Sequence, residues 1–257
     1  MRVTQFPDVD DLLTELLARI KNIVGEQLVG LYLYGSLVWG DFNPKASDID
    51  VLVAMSSAID ATVFDRLDSV HGELARKYAY GREDRLEIAY VPLDLLQSFK
   101  AQRGHIAIIS PGEPFHIKDA GNDWLLNWYF VQEKGIALFG PPPQTIITPI
   151  SQEEFVHAVQ EQAKDWKEWI DHAEHSRPYQ AYAILTMCRA LYAYKNSEQV
   201  SKKHAAVWAQ TVLPQWSSLI QNALKWREEW RNNNIDHEAT YSETKSFVDF
   251  VADQLAE

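Results

Sequence analysis

Residues 28–53 decide the fold, and they read LVGLYLYGSLVWGDFNPKASDIDVLV. The run Leu28–Tyr34 is apolar and aromatic and stops at Gly35-Ser36, which predicts a short strand that ends in a turn. Asp48–Val53 begins with alternating polar and apolar residues, which predicts a second strand. Two strands that flank a glycine-serine turn and an acidic pair are therefore the starting point for the rest of the chain.

The acidic pair and the glycine-serine turn together have the chemistry of a metal-phosphate site. Asp48 and Asp50 are two residues apart on a strand, so both carboxylates project from one face. They repel each other unless a cation lies between them, and oxygen ligands shared with phosphate favour Mg²⁺ over zinc. Gly35 and Ser36 offer backbone donors and a hydroxyl to a triphosphate. Each feature alone is more often a plain turn or a solvated strand edge, but their combination favours metal-phosphate chemistry.

Helices and strands alternate around this stretch. Apolar residues at helical spacing from Leu12 to Ile23 predict a helix that ends at Gly25. A polar helix is expected at about 60–77, a third strand at Arg85–Val91 and a helix at 119–134. The first part of the chain is thus predicted to be α/β (α+β), with a mixed sheet covered by helices.

The second part of the chain is predicted to be an all-helical bundle. Gly140-Pro141-Pro142-Pro143 cannot continue a regular element, so a domain boundary is expected between this run and Ser151, dividing the chain into 1–148 and 149–257. Ser151 and Glu154 have the spacing of a capping box and open a long helix to about residue 175. Three or four further helices are expected, with breaks near Arg177-Pro178, Asn196, Pro214 and Asn232–Asn234.

Composition limits the function classes. The chain has 257 residues, 46% of them hydrophobic and 23% charged, which is typical of a globular protein. Its net charge of −12 argues against a nucleic-acid substrate and favours a small cationic ligand. One cysteine, Cys188, cannot form an internal disulfide or a zinc cluster, and we expect it to be a small buried residue. Apolar runs are shorter than the ~20 residues of a membrane helix, so we expect a cytoplasmic monomer with no membrane contact.

The motifs resemble those of a known superfamily. Leu33–Ser36, Gly40-Asp41 and Ser47–Asp50 are similar to the signature of the nucleotidyltransferases with the polymerase-β-like fold. Residues 135–141 and the helical second half resemble the streptomycin/spectinomycin (aminoglycoside) adenylyltransferases, which are antibiotic-modifying enzymes that move AMP from ATP to a drug hydroxyl. The resemblance implies that Asp48 and Asp50 bind Mg²⁺, and that Gly35, Ser36 and Ser47 bind ATP. It also implies that 149–257 closes over the nucleotide.

The resemblance extends to a catalytic base. Glu87 lies between two apolar residues on the predicted third strand and would, without context, be an exposed strand glutamate. The resembling family has its base on the strand after the paired aspartates. Glu87 is therefore the candidate that accepts the proton of the acceptor hydroxyl.

Three residues of the second half are candidate nucleotide ligands. By composition, Arg189 is as readily an interdomain salt bridge as a phosphate ligand, but the resemblance implies that Arg189 and Lys202 reach the ATP phosphates, with Lys203 as a substitute for Lys202. Trp226 falls where the family has a tyrosine that packs on adenine, although Trp226 and Trp230 also fit a packed helix stripe. We expect Trp166 and Trp169 to be core or cleft wall.

The acceptor region departs from the family pattern. The expected loop from Gln102 to Gly121 contains no tryptophan, and the positions where streptomycin-modifying members carry acidic residues are Tyr179 and His175. We therefore expect poor modification of streptomycin, while spectinomycin, without guanidinium groups, stays possible. Two alternatives remain open: a transferase that acts on a protein or tRNA, and a non-catalytic nucleotide-binding regulator. Retention of all three carboxylates argues against the regulator, because a sensor needs no base.

Overall fold

The computed structural model describes residues 2–44, 46–78, 85–227 and 236–256. The chain separates into two compact units, one that runs to Ile150 and one that begins at Ser151, two residues after the expected boundary. The first unit is a mixed sheet with helices and the second is helical, which confirms the predicted fold class. In the described residues, no helix is long and apolar enough to cross a membrane.

A six-stranded mixed sheet forms the centre of the first unit. The strands are β1 (Leu28–Tyr34), β2 (Ile49–Met55), β3 (Leu86–Pro92), β4 (Gly104–Ser110), β5 (Glu113–Ala120) and β6 (Ile136–Phe139). Their order in the sheet is β5-β4-β3-β2-β1-β6. The β2–β3 pair is parallel, whereas the other neighbours are antiparallel. The starts of β2 and β3 and the end of β1 consequently lie at the same edge.

Helices cover one face of this sheet and form a hydrophobic core with it. The helices of the first unit are α1 (Pro7–Val24), α2 (Ser36–Trp39), α3 (Ala61–Lys77), α4 (Leu93–Ser98) and α5 (Leu125–Lys134). Apolar residues of α1 and α3 pack with Leu33, Val51 and Ile88 of the three central strands. Because strand side chains alternate between faces, Tyr34, Asp50 and Glu87 project from the opposite face.

Two of the predictions for residues 102–124 are wrong. The expected loop from Gln102 to Gly121 is the β4–β5 hairpin, and the helix expected at 119–134 begins only at Leu125. The apolar run Ile106–Ile109 and the turn at Pro111-Gly112, where Gly112 has φ 82°, are ordinary hairpin signals. In β5 most side chains are exposed, so the strand lacks clear alternation, which is why the pattern was missed.

One central helix organises the second unit. Its helices are α6 (Gln152–Trp169), α7 (Arg177–Asn196), α8 (Lys202–Val212), α9 (Ser217–Trp226) and α10 (Tyr241–Ala256). The other four pack around α7, which therefore carries buried apolar residues on most of its surface. Ser151 and Glu154 form the predicted capping box, and α6 ends at Trp169 rather than near 175. The break expected at Asn232–Asn234 lies outside the described residues.

A buried histidine ties α3 to the sheet. His71 is 0% exposed, its Nε2 lies 2.8 Å from the hydroxyl of Tyr90 on β3, and its ring meets Phe115 edge-on. Burial penalises the imidazolium and lowers the pKa of His71 to about 4. The folded protein thus holds this ring neutral at pH values where an unfolded chain would protonate it.

We expect this histidine to make the fold sensitive to acid. As pH falls from 6.5 to 4, the unfolded state binds a proton that the folded state refuses, so stability falls by up to about 1.4 kcal/mol per pH unit and roughly 3 kcal/mol in all. Urea unfolding at several pH values should give a flatter dependence for His71→Leu, even if that variant is less stable at pH 7. His157→Gln, at an exposed site, is the control. Equal slopes in wild type and His71→Leu would contradict the assignment.

Candidate active site

Three residues on neighbouring strands form a row at one edge of the sheet. Tyr34 of β1 is paired with Asp50 of β2, and Asp50 is paired with Glu87 of β3. Paired residues project from the same face, on strands about 4.8 Å apart. Asp50 and Glu87 are half-buried, whereas Tyr34 is buried. The structure therefore brings the candidate base and one candidate metal ligand side by side.

Asp48 completes the group of carboxylates. It lies immediately before β2, two residues from Asp50, and is half-buried. Ile49, between them, is buried in the dry core, so the two aspartates are held on the other face. Asp48, Asp50 and Glu87 thus place three carboxylates at this end of the parallel strands β2 and β3.

The close approach of Gly35 to Asp50 explains the glycine of the motif. Gly35 has φ 69°, and a Cβ atom built on it would lie 1.8 Å from Oδ2 of Asp50. No other residue type fits this position without displacing the carboxylate, and a positive φ is strained for residues with a Cβ. Backbone and carboxylate are therefore packed against each other as one unit.

The two candidate serines lie in different surroundings. Ser36 begins α2, and its Oγ is buried with no hydrogen-bond partner in the described part of the chain. Ser47 is buried; its Oγ accepts a bond from the Asn43 amide at 2.9 Å, and its own amide donates to the Asn43 carbonyl at 2.8 Å. Ser36 has hydrogen-bonding capacity to offer to a ligand, whereas Ser47 closes a turn.

The two carboxylates affect the ionisation of their neighbour on β1. Burial, followed by the negative charges of Glu87 and Asp50, holds the pKa of Tyr34 well above its usual value of 10. Tyr34 is therefore a neutral phenol at physiological pH.

The donor set fits a magnesium ion that shares its ligands with phosphate. In the described residues, no group of three or more His, Cys, Asp or Glu side chains is arranged to hold a metal by itself. Mg²⁺ is commonly bound through one or two carboxylates, with the rest of its octahedral shell made of water and substrate phosphate. Asp48 and Asp50 match that pattern, and they do not match a closed zinc site.

In the second unit, the candidate phosphate ligands lie on two adjacent helices. Arg189 is half-buried on α7, next to Cys188, which is fully buried as expected and whose thiol has a raised pKa because of burial. Ser201 caps α8, so Lys202 is the first residue of that helix. The Lys202 ammonium lies 3.6 Å from the ring centroid of Tyr182, whereas Lys203 is exposed.

The tryptophans of the second unit lie in contrasting environments. Trp226 is only 8% exposed, and the guanidinium of Arg177 lies over its ring at 5.3 Å. Trp169 is 65% exposed and Trp166 is half-buried, so neither belongs to the core. Of these rings, Trp169 is the one most accessible to a ligand.

The positions that replace acidic residues are exposed. Tyr179 is 53% exposed, and Nδ1 of His175 lies 2.9 Å from Oε1 of Glu238. Counting along the sequence from Arg189 missed this carboxylate, because Glu238 approaches His175 from a distant part of the chain. Its negative charge is already engaged with an imidazole.

Two family models and several relatives match this chain. Residues 13–122 match the nucleotidyltransferase domain, and residues 145–254 match the aminoglycoside adenylyltransferase C-terminal domain. The chain therefore combines a nucleotidyltransferase domain with the C-terminal domain of the aminoglycoside adenylyltransferases. It is consequently an enzyme of the nucleotidyltransferase type.

Curated relatives match the chain over most of its length. An aminoglycoside (3'') (9) adenylyltransferase from Escherichia coli is 25% identical, covering 99% of this chain and 98% of the relative. A spectinomycin 9-adenylyltransferase from Staphylococcus aureus is 23% identical, with coverages of 92% and 91%. The crystal structure of a spectinomycin adenyltransferase from Enterococcus faecialis with ATP and spectinomycin superposes with a TM-score of 0.74 at 16% identity, covering 96% of this chain and 99% of that chain. The last likeness shows a shared fold.

The contact between Gly35 and Asp50 gives a direct test of the site. We expect Gly35→Ala to reduce kcat/KM by at least about a hundredfold, because a displacement of an ångström at a reacting group has an effect of that size. Gly112→Ala is the matched control: its φ is also positive, at 82°, but a Cβ there meets nothing within 4 Å. Both variants should lose roughly 1–2 kcal/mol of stability from backbone strain. Equal activity of the two variants would show that the close approach has no functional role.

Proposed function

We propose that this chain transfers AMP from ATP to a hydroxyl of a small cationic acceptor, an aminoglycoside or an aminocyclitol such as spectinomycin, with Mg²⁺ as the metal. The observation that carries this proposal is the pairing of Asp50 with Glu87 on parallel strands, beside Asp48 and the glycine contact. An acid-base residue next to a two-carboxylate metal site is what adenylyl transfer requires. The names of the relatives support the choice of acceptor class.

In the proposed mechanism, Glu87 acts as the general base. Its carboxylate accepts the proton of the acceptor hydroxyl, and the oxygen forms a bond to the α-phosphorus of ATP. The bond between the α-phosphorus and the oxygen that bridges to the β-phosphate breaks, so pyrophosphate leaves. Asp48 and Asp50 would hold Mg²⁺, which supplies positive charge to the phosphoryl oxygens when bound.

Other residues are proposed to bind the nucleotide. Gly35 brings the backbone close to the phosphates, and the buried Ser36 hydroxyl, which lacks a partner in the described part of the chain, can donate to a phosphate oxygen. Ser47 supports the site through its turn. Arg189 and Lys202 are proposed as further phosphate ligands, on the strength of the family resemblance.

Trp226 is the weakest member of the proposed nucleotide site. An adenine ring can stack only on an accessible aromatic face. Because Arg177 covers a face of the buried Trp226, stacking would use its remaining exposed edge or the guanidinium itself.

The acceptor is proposed from charge and aromatic exposure. A net charge of −12 attracts a cationic molecule over a distance of the order of the Debye length. The exposed rings of Trp169 and Tyr179 offer faces that attract ammonium groups. A protein or tRNA acceptor is the alternative within the same chemistry, and the negative charge disfavours the tRNA.

Glu87→Gln separates the base from a metal ligand. The glutamine keeps size and hydrogen bonding but cannot accept a proton, so we expect kcat to fall by roughly 10²–10⁴-fold with nearly unchanged affinity for Mg-ATP. Calorimetry with Mg-ATP and steady-state kinetics give the two quantities. Glu133→Gln, on an exposed position of α5, is the control. If Glu87→Gln abolishes Mg-ATP binding, Glu87 is a metal ligand and not the base.

Acceptor choice can be measured with labelled ATP and a panel of antibiotics. We expect spectinomycin to be adenylylated and streptomycin to be modified about ten- to a hundredfold less well, because a guanidinium without a free charged partner loses roughly 1.5–3 kcal/mol. Glu87→Gln serves as the inactive control. Streptomycin turnover equal to that of spectinomycin would contradict the expected selectivity, and labelling of protein or RNA instead of every drug would contradict the proposed acceptor class.

A further inference from the structure

A buried arginine lies beside the proposed metal ligands. Arg85 is 3% exposed and stands immediately before β3, two residues from Glu87. A guanidinium is costly to bury unless its hydrogen bonds and charge are compensated. From the sequence, Arg85 is predicted only to begin a strand.

Two hydrogen bonds of Arg85 bracket Asp48. Its Nη2 donates to the carbonyl of Ser47 at 3.2 Å, and its own carbonyl accepts a bond from the amide of Ile49 at 2.8 Å. Ser47 and Ile49 are the residues on either side of Asp48. The backbone of the candidate ligand is therefore held from both sides by one residue of the neighbouring strand.

The guanidinium of Arg85 also contacts Phe42, which precedes Asp48 in the chain. Its central carbon lies 5.4 Å from the ring centroid of Phe42, within the range of a cation–π interaction. Asn43 and Ser47 are joined by two hydrogen bonds. Arg85 thus connects both Phe42 and the bonded pair of Asn43 and Ser47 to the sheet.

We propose that Arg85 is a positioning residue for the transfer reaction, which holds Phe42 and Ser47 so that Asp48 and Asp50 can share one cation. This inference rests on the proposed function, because it takes Asp48 as a metal ligand. Outer residues that orient metal ligands commonly change metal affinity or activity by 10–100-fold when they are replaced. Arg85 does not contact the reacting atoms in this scheme and acts through Asp48.

Metal affinity distinguishes positioning from charge, because the two effects have opposite signs. A guanidinium near a cation site repels the cation, so removal of its charge alone would tighten metal binding. Removal of its hydrogen bond and ring contact would let the turn move and would weaken metal binding. The sign of the change in Mn²⁺ affinity therefore identifies which effect dominates.

The test compares Arg85→Met, Arg85→Lys and a surface control, Arg103→Met, whose guanidinium pairs with Asp123 at an exposed site. Mn²⁺ binding with a non-hydrolysable ATP analogue is measured by electron paramagnetic resonance. Arg85→Met should weaken Mn²⁺ binding and lower kcat by roughly tenfold or more, Arg85→Lys should restore part of the affinity, and Arg103→Met should match wild type. Unchanged or tighter Mn²⁺ binding in Arg85→Met would overturn the inference.

Amide exchange tests whether the contacts of Arg85 with Phe42 and Ser47, here called the clamp, hold these residues without metal or nucleotide. In metal-free protein, the amides of Ala46 and Ser47, both bonded to the Asn43 carbonyl, should exchange faster in Arg85→Met than in wild type. If Arg85→Met does not fold, Phe42→Leu should give a smaller change in the same direction, and its absence would contradict the inference. Mn²⁺ affinity that is insensitive to Asp48→Asn would instead contradict the proposed metal site, while the exchange rates would still report on the clamp.

Discussion

The contact between the Gly35 backbone and the Asp50 carboxylate is the constraint on which the site depends. A Cβ atom at residue 35 would lie 1.8 Å from Oδ2 of Asp50, so the turn after β1 and the start of β2 can approach only because residue 35 is glycine. That approach ends β1 at Tyr34 and lets α2 begin at Ser36. Antiparallel pairing of β1 with β2 then places Tyr34 directly opposite Asp50. The glycine and aspartate of the motif are therefore required for packing as well as being candidates for binding.

The strand directions concentrate the chemistry at one edge. Asp50 and Glu87 are each the second residue of their strands, and the parallel pairing of β2 with β3 aligns them. Since β1 runs the other way, its end reaches the same edge. The alternate residues of all three strands fill the core under α1 and α3, which fixes the register, because a slip by one residue would bury the carboxylates. The stability of one face therefore determines the geometry of the other.

The sequence predicted what depends on local spacing and missed what depends on distant contacts. The acidic pair at the start of β2, the strand of Glu87 and the capping box of α6 follow from neighbours within a few residues, and the structure contains them. The β4–β5 hairpin was missed because β5 exposes most of its side chains. Other features depend on residues that are far apart in the chain. They are the burial of Arg85, the pairing of His175 with Glu238 and the contact of Arg177 with the Trp226 ring. Local periodicity carries no information about such contacts.

A site with two protein carboxylates for the metal has a consequence for the order of events. Mg²⁺ prefers six oxygen ligands in octahedral geometry, and on the proposed assignment Asp48 and Asp50 would supply a minority of them. On the proposed assignment, the phosphate oxygens of ATP supply others, so metal and nucleotide each improve the binding of the other by linkage. The repulsion between the carboxylates is then relieved mainly when the nucleotide is present. A buried cation that steadies Phe42 and Ser47, rather than a third acidic ligand, is consistent with this arrangement, because it holds Asp48 in place for the metal while the phosphate oxygens complete the set of ligands.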